Sequence, residues 1–392
     1  MKNEYQIIPY GRQSISELDI QAVVDVLRSD YLTQGPVVAN FEEAIAKYCK
    51  SNHAVAVNSA TSALHIACMA LDLGPGDWLW TSPITFVASA NCGLYCGANV
   101  DFVDIDPRTF NLCPVALEGK LEEAKLKGLL PKVVVPVHLC GQPCDMEAIH
   151  RLSTRFGFKI IEDASHAVGA KYQNEPIGNC KYSDITVFSF HPVKIITTAE
   201  GGMAMTNDEK LANKLKQLRS HGISNKPSEM DGRPDDEIWN YQQLALGFNY
   251  RMTELQAALG LSQLNKLDEF IQTRQIIASR YDEKLKSMPV KTPWQLPNTY
   301  SSFHLYPIQV DNKSCGKSQR DIYQALQHAG IGVNLHYIPV YRQPFYERMG
   351  FQKGYCPQAE HYFKSSISIP VYASLSEEQQ DRVIEEIRSA VQ

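Results

Sequence analysis

The stretch HAVAVNSATSALHIACMALD (53–72) decides the fold. It begins with a short apolar run, passes through a turn of small polar residues, and continues with a helical pattern over residues 61–72. A strand followed directly by a helix is the repeating unit of a parallel sheet whose two faces are covered by helices. Because the same alternation continues to about Thr206, the sequence predicts a doubly wound α/β domain.

Six further apolar runs predict six further strands. Several of them are continuously apolar, as expected for parallel strands that are buried on both faces. The last two runs lie close together, so we expect the alternation with helices to break between them. The runs are WLWTS (78–82), VDFVDI (100–105), KVVVPV (132–137), FKIIED (158–163), DITVFSF (184–190) and GMAMT (202–206).

The pattern changes after Asn207, where the predicted elements become those of a smaller α+β domain. The polar stretch at 225–237 predicts a mobile surface loop, and a helical run from about Arg251 to Lys286 should break near Lys266. We place a large domain at residues 1–270 and a small one at 271–392, and we expect the N-terminal segment to pack on the small domain. The other predicted elements are a helix at 208–219, a strand at 304–310, a helix at 317–330, a strand at 332–337 and a helix at 376–390.

Composition argues against several classes of function. The 392 residues are 44% hydrophobic and 21% charged, with a net charge of -5, so a substantial core is available and no basic surface for nucleic acid is indicated. No run approaches the ~20 apolar residues of a membrane span. The start, MKNEYQIIPY, lacks the apolar core of a signal peptide. We therefore expect a cytoplasmic protein with neither nucleic-acid nor membrane partners.

Two cysteine pairs share a spacing of four residues: Cys92 with Cys96, and Cys140 with Cys144. On a helix this spacing would place both thiols on one face, where they could supply half of a metal site. The second pair flanks a glycine and a proline, which indicate a turn, and neither pair has a tight C-x-x-C partner elsewhere. We expect structural cysteines and no metal.

Lys194 lies in the segment TVFSFHPVKIITTAEGG (186–202), in the loop between two predicted strands. Open α/β sheets bind their ligands at the carboxyl ends of the strands, and this lysine follows such an end. A lysine in a loop is usually a solvated surface charge. Among small and apolar residues, however, the ammonium would be costly to bury unless it had a use. A lysine of this kind can lose its proton and form a Schiff base with an aldehyde.

Asp163 ends the predicted strand FKIIED and is followed by small residues and by His166. The simplest role for its carboxylate is to cap a helix. It could instead pair with the protonated ring nitrogen of a cofactor that withdraws electrons. His166 could lie beside such a ring or could satisfy a buried backbone carbonyl, and the local sequence leaves both roles open.

The turn after the first strand has the features of a phosphate site. Backbone N–H groups at the start of a helix attract an anion, and the hydroxyls of Ser59, Thr61 and Ser62 could assist them or could only cap the helix. Phe86 follows a predicted strand and could stack on a flat ring, although an aromatic there is more often part of the core. No G-x-G-x-x-G follows the first strand and no G-x-x-x-x-G-K-[ST] occurs, which disfavours a dinucleotide site or a P-loop.

The four segments discussed above contain Ser59, Phe86, Asp163 and Lys194, in this order along the chain. With these segments the chain resembles the sugar-nucleotide aminotransferases of the DegT/DnrJ/StrS type, a branch of the fold-type I pyridoxal-phosphate enzymes. The likeness runs from YLTQGPVVANFEEAIA (31–46) to YIPVY (337–341), essentially the whole chain. It implies a large, mostly parallel sheet domain with a smaller C-terminal α+β domain, and pyridoxal 5'-phosphate as the cofactor. The matching segments are SATSAL (59–64), DASHA (163–167), SFHPVK (189–194), ITTAEGG (196–202) and GFNYRMTELQAALG (247–260).

Carried over by position, the resemblance implies that Lys194 forms the Schiff base, that Asp163 pairs with the ring nitrogen and that His166 belongs to the catalytic group. Asn249 resembles a residue that reaches the neighbouring subunit's site, which implies a homodimer with shared active sites. The local sequence alone favours a different role, in which Asn249 caps the helix that starts near Arg251, and the resemblance reverses that preference. The other implied cofactor contacts are Ala60, Thr61, Ser62, Phe86, Ser189 and Asn249. The implied sugar-nucleotide contacts are Tyr10, Asp30, Tyr31, Leu32, Thr33, Ala60, Ser189, Asn249, Leu335, His336, Tyr337 and Ile338.

Within the family the likeness is greatest to the branch that serves pseudaminic acid biosynthesis. The resemblance therefore implies transfer of the amino group of L-glutamate to C4 of a UDP-linked 4-keto-6-deoxy-N-acetylhexosamine. The alternatives are an aminotransferase for another keto-sugar nucleotide and a pyridoxal-phosphate-binding regulator without turnover. A dehydrating branch of the family carries histidine in place of the lysine, so Lys194 disfavours that reaction.

Overall fold

Fifteen strands and fourteen α-helices form within residues 7–232 and 237–392, the part of the chain that the computed structural model describes. The strands are β1 (His53–Val57), β2 (Trp78–Thr81), β3 (Asn99–Phe102), β4 (Val133–Val135), β5 (Lys159–Asp163), β6 (Lys171–Tyr172), β7 (Glu175–Pro176), β8 (Ile185–Ser189), β9 (Gly202–Thr206), β10 (Ile223–Ser224), β11 (Gln242–Gln243), β12 (Val290–Lys291), β13 (Thr299–Tyr300), β14 (Tyr306–Val310) and β15 (Ser366–Ile369). The helices are α1 (Glu17–Leu27), α2 (Pro36–Cys49), α3 (Ala60–Ala70), α4 (Ala88–Tyr95), α5 (Pro114–Lys127), α6 (Met146–Phe156), α7 (Glu209–Arg219), α8 (Glu254–Leu264), α9 (Leu267–Leu285), α10 (Asn312–Cys315), α11 (Gln319–His328), α12 (Pro344–Glu347), α13 (Pro357–Ser365) and α14 (Glu377–Val391).

A seven-stranded sheet lies at the centre, with the strand order β1-β9-β8-β5-β4-β2-β3. Strand β9 runs antiparallel to both of its neighbours, β1 and β8, and the other six strands share one direction. The break expected between the last two apolar runs is confirmed by this antiparallel pair. The predicted α/β class and mostly parallel sheet are also confirmed.

Each face of the large sheet is buried under helices. On β1, Val55 and Val57 pack into the core that contains α3, while Ala54 and Ala56 pack on the opposite face with Phe41 of α2. Because neither face meets solvent, alternate positions of a strand are equally apolar. This burial explains why the strands appear in the sequence as continuous apolar runs.

A second, three-stranded antiparallel sheet, β12-β14-β15, forms with α9, α11 and α14 the core of the smaller unit. Helix α9 contributes to both cores. Phe270 and Ile271 pack under the large sheet, whereas Ile277 and Tyr281 pack in the smaller core. The division that we propose at residue 270 therefore falls within one continuous helix.

The N-terminal segment runs along the smaller unit. Ile8 forms a parallel bridge with Ile331, and the N–H of Val371 donates to the carbonyl of Tyr10 at 3.1 Å. Gly332 allows this approach, since a Cβ there would lie 2.8 Å from the carbonyl oxygen of Ile8.

One predicted strand and one predicted helix start are wrong. Residues 332–337 form no strand, only isolated bridges such as Asn334 with Ser368, because His336 and Tyr337 are held by side-chain bonds to Ser368 and His166 and not by a backbone ladder. The third strand of the small sheet is instead β15.

The long helical run begins at Glu254, later than the predicted Arg251, because Thr253 caps it in a capping box with Gln256. Its break near Lys266 is confirmed by the junction of α8 and α9. The predicted loop at 225–237 lies partly outside the described residues.

Candidate active site

The carboxyl ends of β1, β5 and β8 meet at one edge of the large sheet, as open α/β sheets place their binding sites. Gly202, the first residue of β9, pairs with Val57 at the end of β1 and with Ser189 at the end of β8. Asp163 ends β5 beside Val187 of β8. The turn that carries Lys194 connects β8 to β9, so it lies at the same edge.

Gly202 sets the distance between β9 and the start of α3. A Cβ at this position would lie 2.6 Å from both the N of Ala60 and the carbonyl carbon of Ser59. Backbone atoms cannot move aside as a flexible side chain can, so no residue other than glycine fits without displacing the helix. This contact keeps Ser189 next to the N-terminus of α3.

Lys194 is half-buried in the turn between β8 and β9, where its backbone N–H donates to the carbonyl of His191 at 2.9 Å. Burial lowers the pKa of the Lys194 ammonium to about 8, and the negative charge of Asp163 opposes that shift. An amine with this pKa is partly neutral near pH 7, and only the neutral amine can attack an aldehyde.

Asp163 is buried and its carboxylate is fixed by two donors. The hydroxyl of Ser89 donates to Oδ2 at 2.6 Å, and the backbone N–H of Ser165 donates to Oδ1 at 3.1 Å. Thr85 in turn donates to Ser89 at 2.7 Å. Residues 164–170 form turns, so Asp163 caps no helix, which was the alternative role. The arrangement presents one oriented negative charge to a cationic group.

His166 is buried beside the Lys194 turn. Its Nδ1 accepts from the backbone N–H of Cys140 at 3.2 Å, so the ring proton is on Nε2, which lies 3.2 Å from the hydroxyl oxygen of Tyr337. The ring therefore satisfies a backbone N–H, not the carbonyl considered from the sequence. Burial, followed by the charge of Lys194, holds the pKa of His166 well below its usual range, so the ring is neutral at pH 7.

Two more histidines surround the same charge. The ring centroid of His304 lies 4.4 Å from that of His166, and Nδ1 of His336 lies 2.9 Å from the Ser368 hydroxyl. Burial lowers the pKa of His336 to about 3 and that of His304 well below its usual range, and the Lys194 charge adds to both shifts. Lys194 therefore faces neutral imidazoles and a single carboxylate.

Sequence reasoning missed Ser89 and His304. Ser89 lies in the segment of Phe86, but its partner, Asp163, is distant in the sequence. A signal for Ser89 existed in its place three residues after Phe86. His304 carried no such signal, because it follows Phe303 in a run without a motif, SSFHLYPIQV (301–310).

The hydroxyl groups in the turn before α3 differ in their hydrogen bonding. Ser59 caps the helix by accepting from the N–H of Ser62 at 3.1 Å, and Ser62 donates to the side-chain oxygen of Asn58 at 2.7 Å. Thr61 is half-buried, and its hydroxyl makes no hydrogen bond within residues 7–232 and 237–392. Thr61 and the N-terminus of α3 are thus the groups left available for a phosphate.

Aromatic rings line one side of this edge. Phe86 is 60% exposed, so it is not core, and its ring centroid lies 6.5 Å from that of Tyr337. Tyr10 lies 5.3 Å from His336 by the same measure. The predicted contacts Leu335 to Ile338 belong to this wall, with Ile338 exposed.

Two further groups of predicted contacts are exposed in the single chain. Residues 30–33 form an exposed loop between α1 and α2, where the carbonyl of Leu32 accepts from the N–H of Glu254 at 3.0 Å. Asn249 is exposed, and because Thr253 caps α8, Asn249 does not cap that helix. We find no described contact that joins either group to Lys194.

The paired cysteines form no metal site. Cys140 lies in a tight turn with a φ of 61°, Cys144 is buried, and all ten cysteines are free. Across the described ranges no cluster of His, Cys, Asp or Glu is arranged to hold a metal ion. Nor does any helix in that part of the chain have the length and apolar character needed to cross a membrane.

Known proteins resemble the chain over nearly its full length. The model of the DegT/DnrJ/EryC1/StrS aminotransferase family matches residues 13–388. The spore coat polysaccharide biosynthesis protein SpsC of Bacillus subtilis is 39% identical over 98% of this chain and 97% of its own length. The UDP-4-amino-4,6-dideoxy-N-acetyl-beta-L-altrosamine transaminase of Campylobacter jejuni is 37% identical over 94% of both chains.

Solved structures agree with this likeness. Helicobacter pylori PseC, an aminotransferase involved in the biosynthesis of pseudoaminic acid, superposes with a TM-score of 0.89 at 33% identity, over 98% of this chain and 99% of its own. The sugar aminotransferase Spr1654 of Streptococcus pneumoniae, solved in its PLP form, has a TM-score of 0.88 at 30% identity, with 98% of each chain covered.

The mostly parallel sheet, the lysine and carboxylate at its edge, and these relatives together define a pyridoxal-phosphate-dependent sugar aminotransferase. The chain belongs to the DegT/DnrJ/EryC1/StrS aminotransferase family. Its cofactor is pyridoxal 5'-phosphate, whose aldehyde, ring nitrogen and phosphate match the three kinds of group at the sheet edge.

We predict that borohydride treatment of the cofactor-loaded protein bleaches its visible absorbance and fixes the cofactor covalently to Lys194, because this amine is partly neutral near pH 7 and can join an aldehyde. Peptide mapping by mass spectrometry locates the label. The Lys194→Ala variant should carry no label and should lose turnover, whereas the exposed Lys171→Ala should behave as wild type. A label on a different lysine of the wild-type protein would contradict the assignment.

Asp163→Asn should lower kcat on the order of a hundred- to a thousandfold, the usual loss when an oriented charge that stabilises the transition state is removed. The amide keeps the size of the side chain but not its charge. Ser89→Ala leaves the charge and removes one donor, so its loss should be about tenfold. Turnover at saturating cofactor is compared with urea unfolding. Near-normal turnover by a folded Asp163→Asn protein would leave the carboxylate without a catalytic role.

Proposed function

We propose that the chain transfers the amino group of L-glutamate to C4 of a UDP-linked 4-keto-6-deoxy-N-acetylhexosamine, the amination step of a pseudaminic acid pathway. The observation that carries the proposal is the 37% identity, over 94% of both chains, to the Campylobacter transaminase. The likeness to Helicobacter PseC supports the same pathway. The aromatic wall formed by the exposed Phe86 and the half-buried Tyr337 suits a flat ring and the apolar faces of a sugar.

Bound pyridoxal phosphate supplies an electron sink for the charge that develops at the donor's α-carbon. In our proposal Nζ of Lys194 takes the proton from that carbon, and its pKa of about 8 lets the amine both accept and release a proton near neutral pH. Asp163, held by Ser89 and Ser165, supplies the negative charge opposite the cofactor's ring nitrogen. Thr61 and the N–H groups at the start of α3 hold the phosphate.

An aminotransferase for a different keto-sugar nucleotide is the second candidate. The observation that favours it is the SpsC relative, whose name refers to a spore coat polysaccharide and whose identity of 39% exceeds that of the Campylobacter protein. Both candidate reactions would use Lys194 and Asp163. The choice between them therefore depends on the groups of this chain that contact the sugar and the nucleotide.

We further propose that two chains form a homodimer with shared active sites, in which Asn249 serves the partner's phosphate region. Support comes from the exposed surface beside Asn249, where the arm of β10 and β11 presents several large apolar side chains. Exposed apolar patches of this kind mark protein interfaces. The side chains are Ile238, Trp239, Tyr241 and Leu246, of which Ile238 is 90% exposed.

The expected cytoplasmic location stays a prediction. All ten cysteines are free, which suits a reducing compartment.

A panel of keto-sugar nucleotides with L-glutamate tests the substrate. The UDP-linked 4-keto-6-deoxy-N-acetylhexosamine should be preferred in kcat/KM on the order of a hundredfold over analogues that lack the acetamido group or carry thymidine, because unpaired polar groups in the site penalise the wrong ligand. Mass spectrometry detects amination, and NMR assigns the nitrogen to C4. Lys194→Ala controls for uncatalysed amination. Preference for another nucleotide, or nitrogen at C3, would favour the second candidate.

Mixed dimers test whether the sites are shared. Lys194→Ala and Asn249→Ala proteins, each inactive alone, should regain about a quarter of wild-type activity when their subunits exchange, because half of the dimers are mixed and each of these has one intact site. Activity is measured after exchange is verified by native mass spectrometry.

The reciprocal mixture is the matched control. Wild-type chains exchanged with the double variant Lys194→Ala/Asn249→Ala place one lesion in each site of the mixed dimer if the sites are shared, so mixed dimers should be inactive. If Asn249 serves its own subunit, the two mixtures give the opposite results.

A further inference from the structure

Glu254, the first residue of α8, carries a fully buried carboxylate that the candidate active site does not use. Its Oε2 accepts from the backbone N–H of Val37 at 2.6 Å, and its Oε1 accepts from that of Val38 at 3.3 Å. Both N–H groups belong to the first turn of α2, whose N-cap residue, Gly35, has no side chain to cap it. Glu254 therefore caps α2 from another helix, where the positive end of the helix dipole favours its negative charge.

The backbone of Glu254 also holds the loop that precedes α2. Its N–H donates to the carbonyl of Leu32 at 3.0 Å, so one residue fixes both the loop and the start of the helix. Gly35 allows this closeness, since a Cβ there would lie 2.6 Å from Cβ of Tyr31 and 2.9 Å from Oε2 of Glu254. The 30–33 loop is thus held in place although all four of its residues are exposed.

The same helix start contacts the turn that carries Lys194. The side-chain amide of Gln256 donates to the carbonyl of Glu200 in this turn at 2.7 Å. Met252 packs on the turn as well, because a Cβ at Gly201 would lie 2.7 Å from the Cε of Met252. The start of α8 therefore contacts both the loop and the lysine turn.

The residues just before α8 are bonded to the turn proposed for the phosphate. The N–H of Asn58, which follows β1, donates to the carbonyl of Tyr250 at 2.8 Å, and Arg251 forms an antiparallel bridge with Val57. The loop, the lysine turn and the phosphate turn are thus attached to one short stretch of chain. Because different residues make the three attachments, a change in the side chain of Glu254 should release the loop and leave the other two in place.

We propose that Glu254 is a positioning residue, which holds the 30–33 loop in place to bind the sugar nucleotide. The inference rests on the proposed function, from which the loop takes its role as a sugar-nucleotide contact. L-glutamate carries no nucleotide, so the donor half of the reaction does not need the loop. Loss of the carboxylate should therefore weaken binding of the acceptor and leave the donor half unchanged.

The experiment compares Glu254→Gln with wild type in each half of the reaction, using the cofactor-loaded, full-length protein. Glutamine keeps the size of the side chain, removes its charge and turns an NH2 group toward one of the two N–H donors. The KM for the UDP-linked keto-sugar, at saturating L-glutamate, should rise about tenfold, because two charge-assisted bonds that order the loop are disrupted. The rate at which L-glutamate alone changes the cofactor's visible absorbance should stay within about twofold of wild type. Glu269→Gln, which changes an exposed glutamate in the first turn of α9, is the matched control and should alter neither value.

A second variant disturbs the same contact from the side of the loop. Gly35→Ala leaves the carboxylate intact but adds a Cβ that meets both Tyr31 and Glu254. It should raise the acceptor KM in the same way, with the donor half again unchanged. Urea unfolding verifies that both variants are folded, and a normal donor half shows that the lysine turn is intact.

Equal losses in both halves of the reaction would make Glu254 a purely structural residue, and unchanged values in both would leave it without a role. Either result would overturn the inference. The wild-type protein reports separately on the proposed function. If it prefers another keto-sugar nucleotide, the substrate assignment fails, and the two halves of Glu254→Gln are compared with that acceptor. If it aminates no keto-sugar nucleotide, the proposed function fails and this inference fails with it.

Discussion

The candidate site depends on one steric constraint, the contact of the Gly202 backbone with Ser59 and Ala60. A parallel strand after β8 would have required a long crossover to the opposite edge of the sheet. Antiparallel β9 instead returns immediately, so the turn that carries Lys194 begins and ends at the carboxyl edge. The missing Cβ then lets this turn approach the start of α3. A single side chain at position 202 would separate the lysine from the phosphate turn.

Few charged groups lie at the carboxyl edge of the large sheet. One carboxylate, Asp163, faces one lysine, and the surrounding histidines His166, His304 and His336 are held neutral by burial. Two effects compete at Lys194, since burial disfavours its charge and Asp163 favours it, and burial prevails. If the histidines were protonated, Asp163 would be screened from any cationic partner. Because the histidines are neutral, the negative charge of Asp163 stays available for a cationic partner.

The sequence indicated the groups whose roles depend on local geometry. The strand–turn–helix at 53–72 and the strand ends at Asp163 and Ser189 follow from apolar runs and small residues, so both the sheet and Lys194 could be placed. Ser89 could not be, because its bond to Asp163 spans 74 residues of chain. Residues 332–337 were apolar enough for a strand, but side-chain bonds of His336 and Tyr337 hold them in another conformation. The spacing of apolar residues predicts which residues are buried, but it does not predict which group a polar side chain bonds to.

Helix α9 has a consequence for protein engineering. It packs under the large sheet through Phe270 and in the smaller core through Tyr281. Between them, the buried guanidinium of Arg274 donates to the carbonyls of Phe303, His304 and Val371. A chimera cut at residue 270 would join the first turn of one parent's helix to the remainder of another's and would mismatch the interface with the large sheet, where Phe270 and Ile271 pack together. Recombination at residues 265–266, where α8 ends and α9 begins, would transfer the helix whole, so libraries that exchange the C-terminal unit among relatives should be joined there.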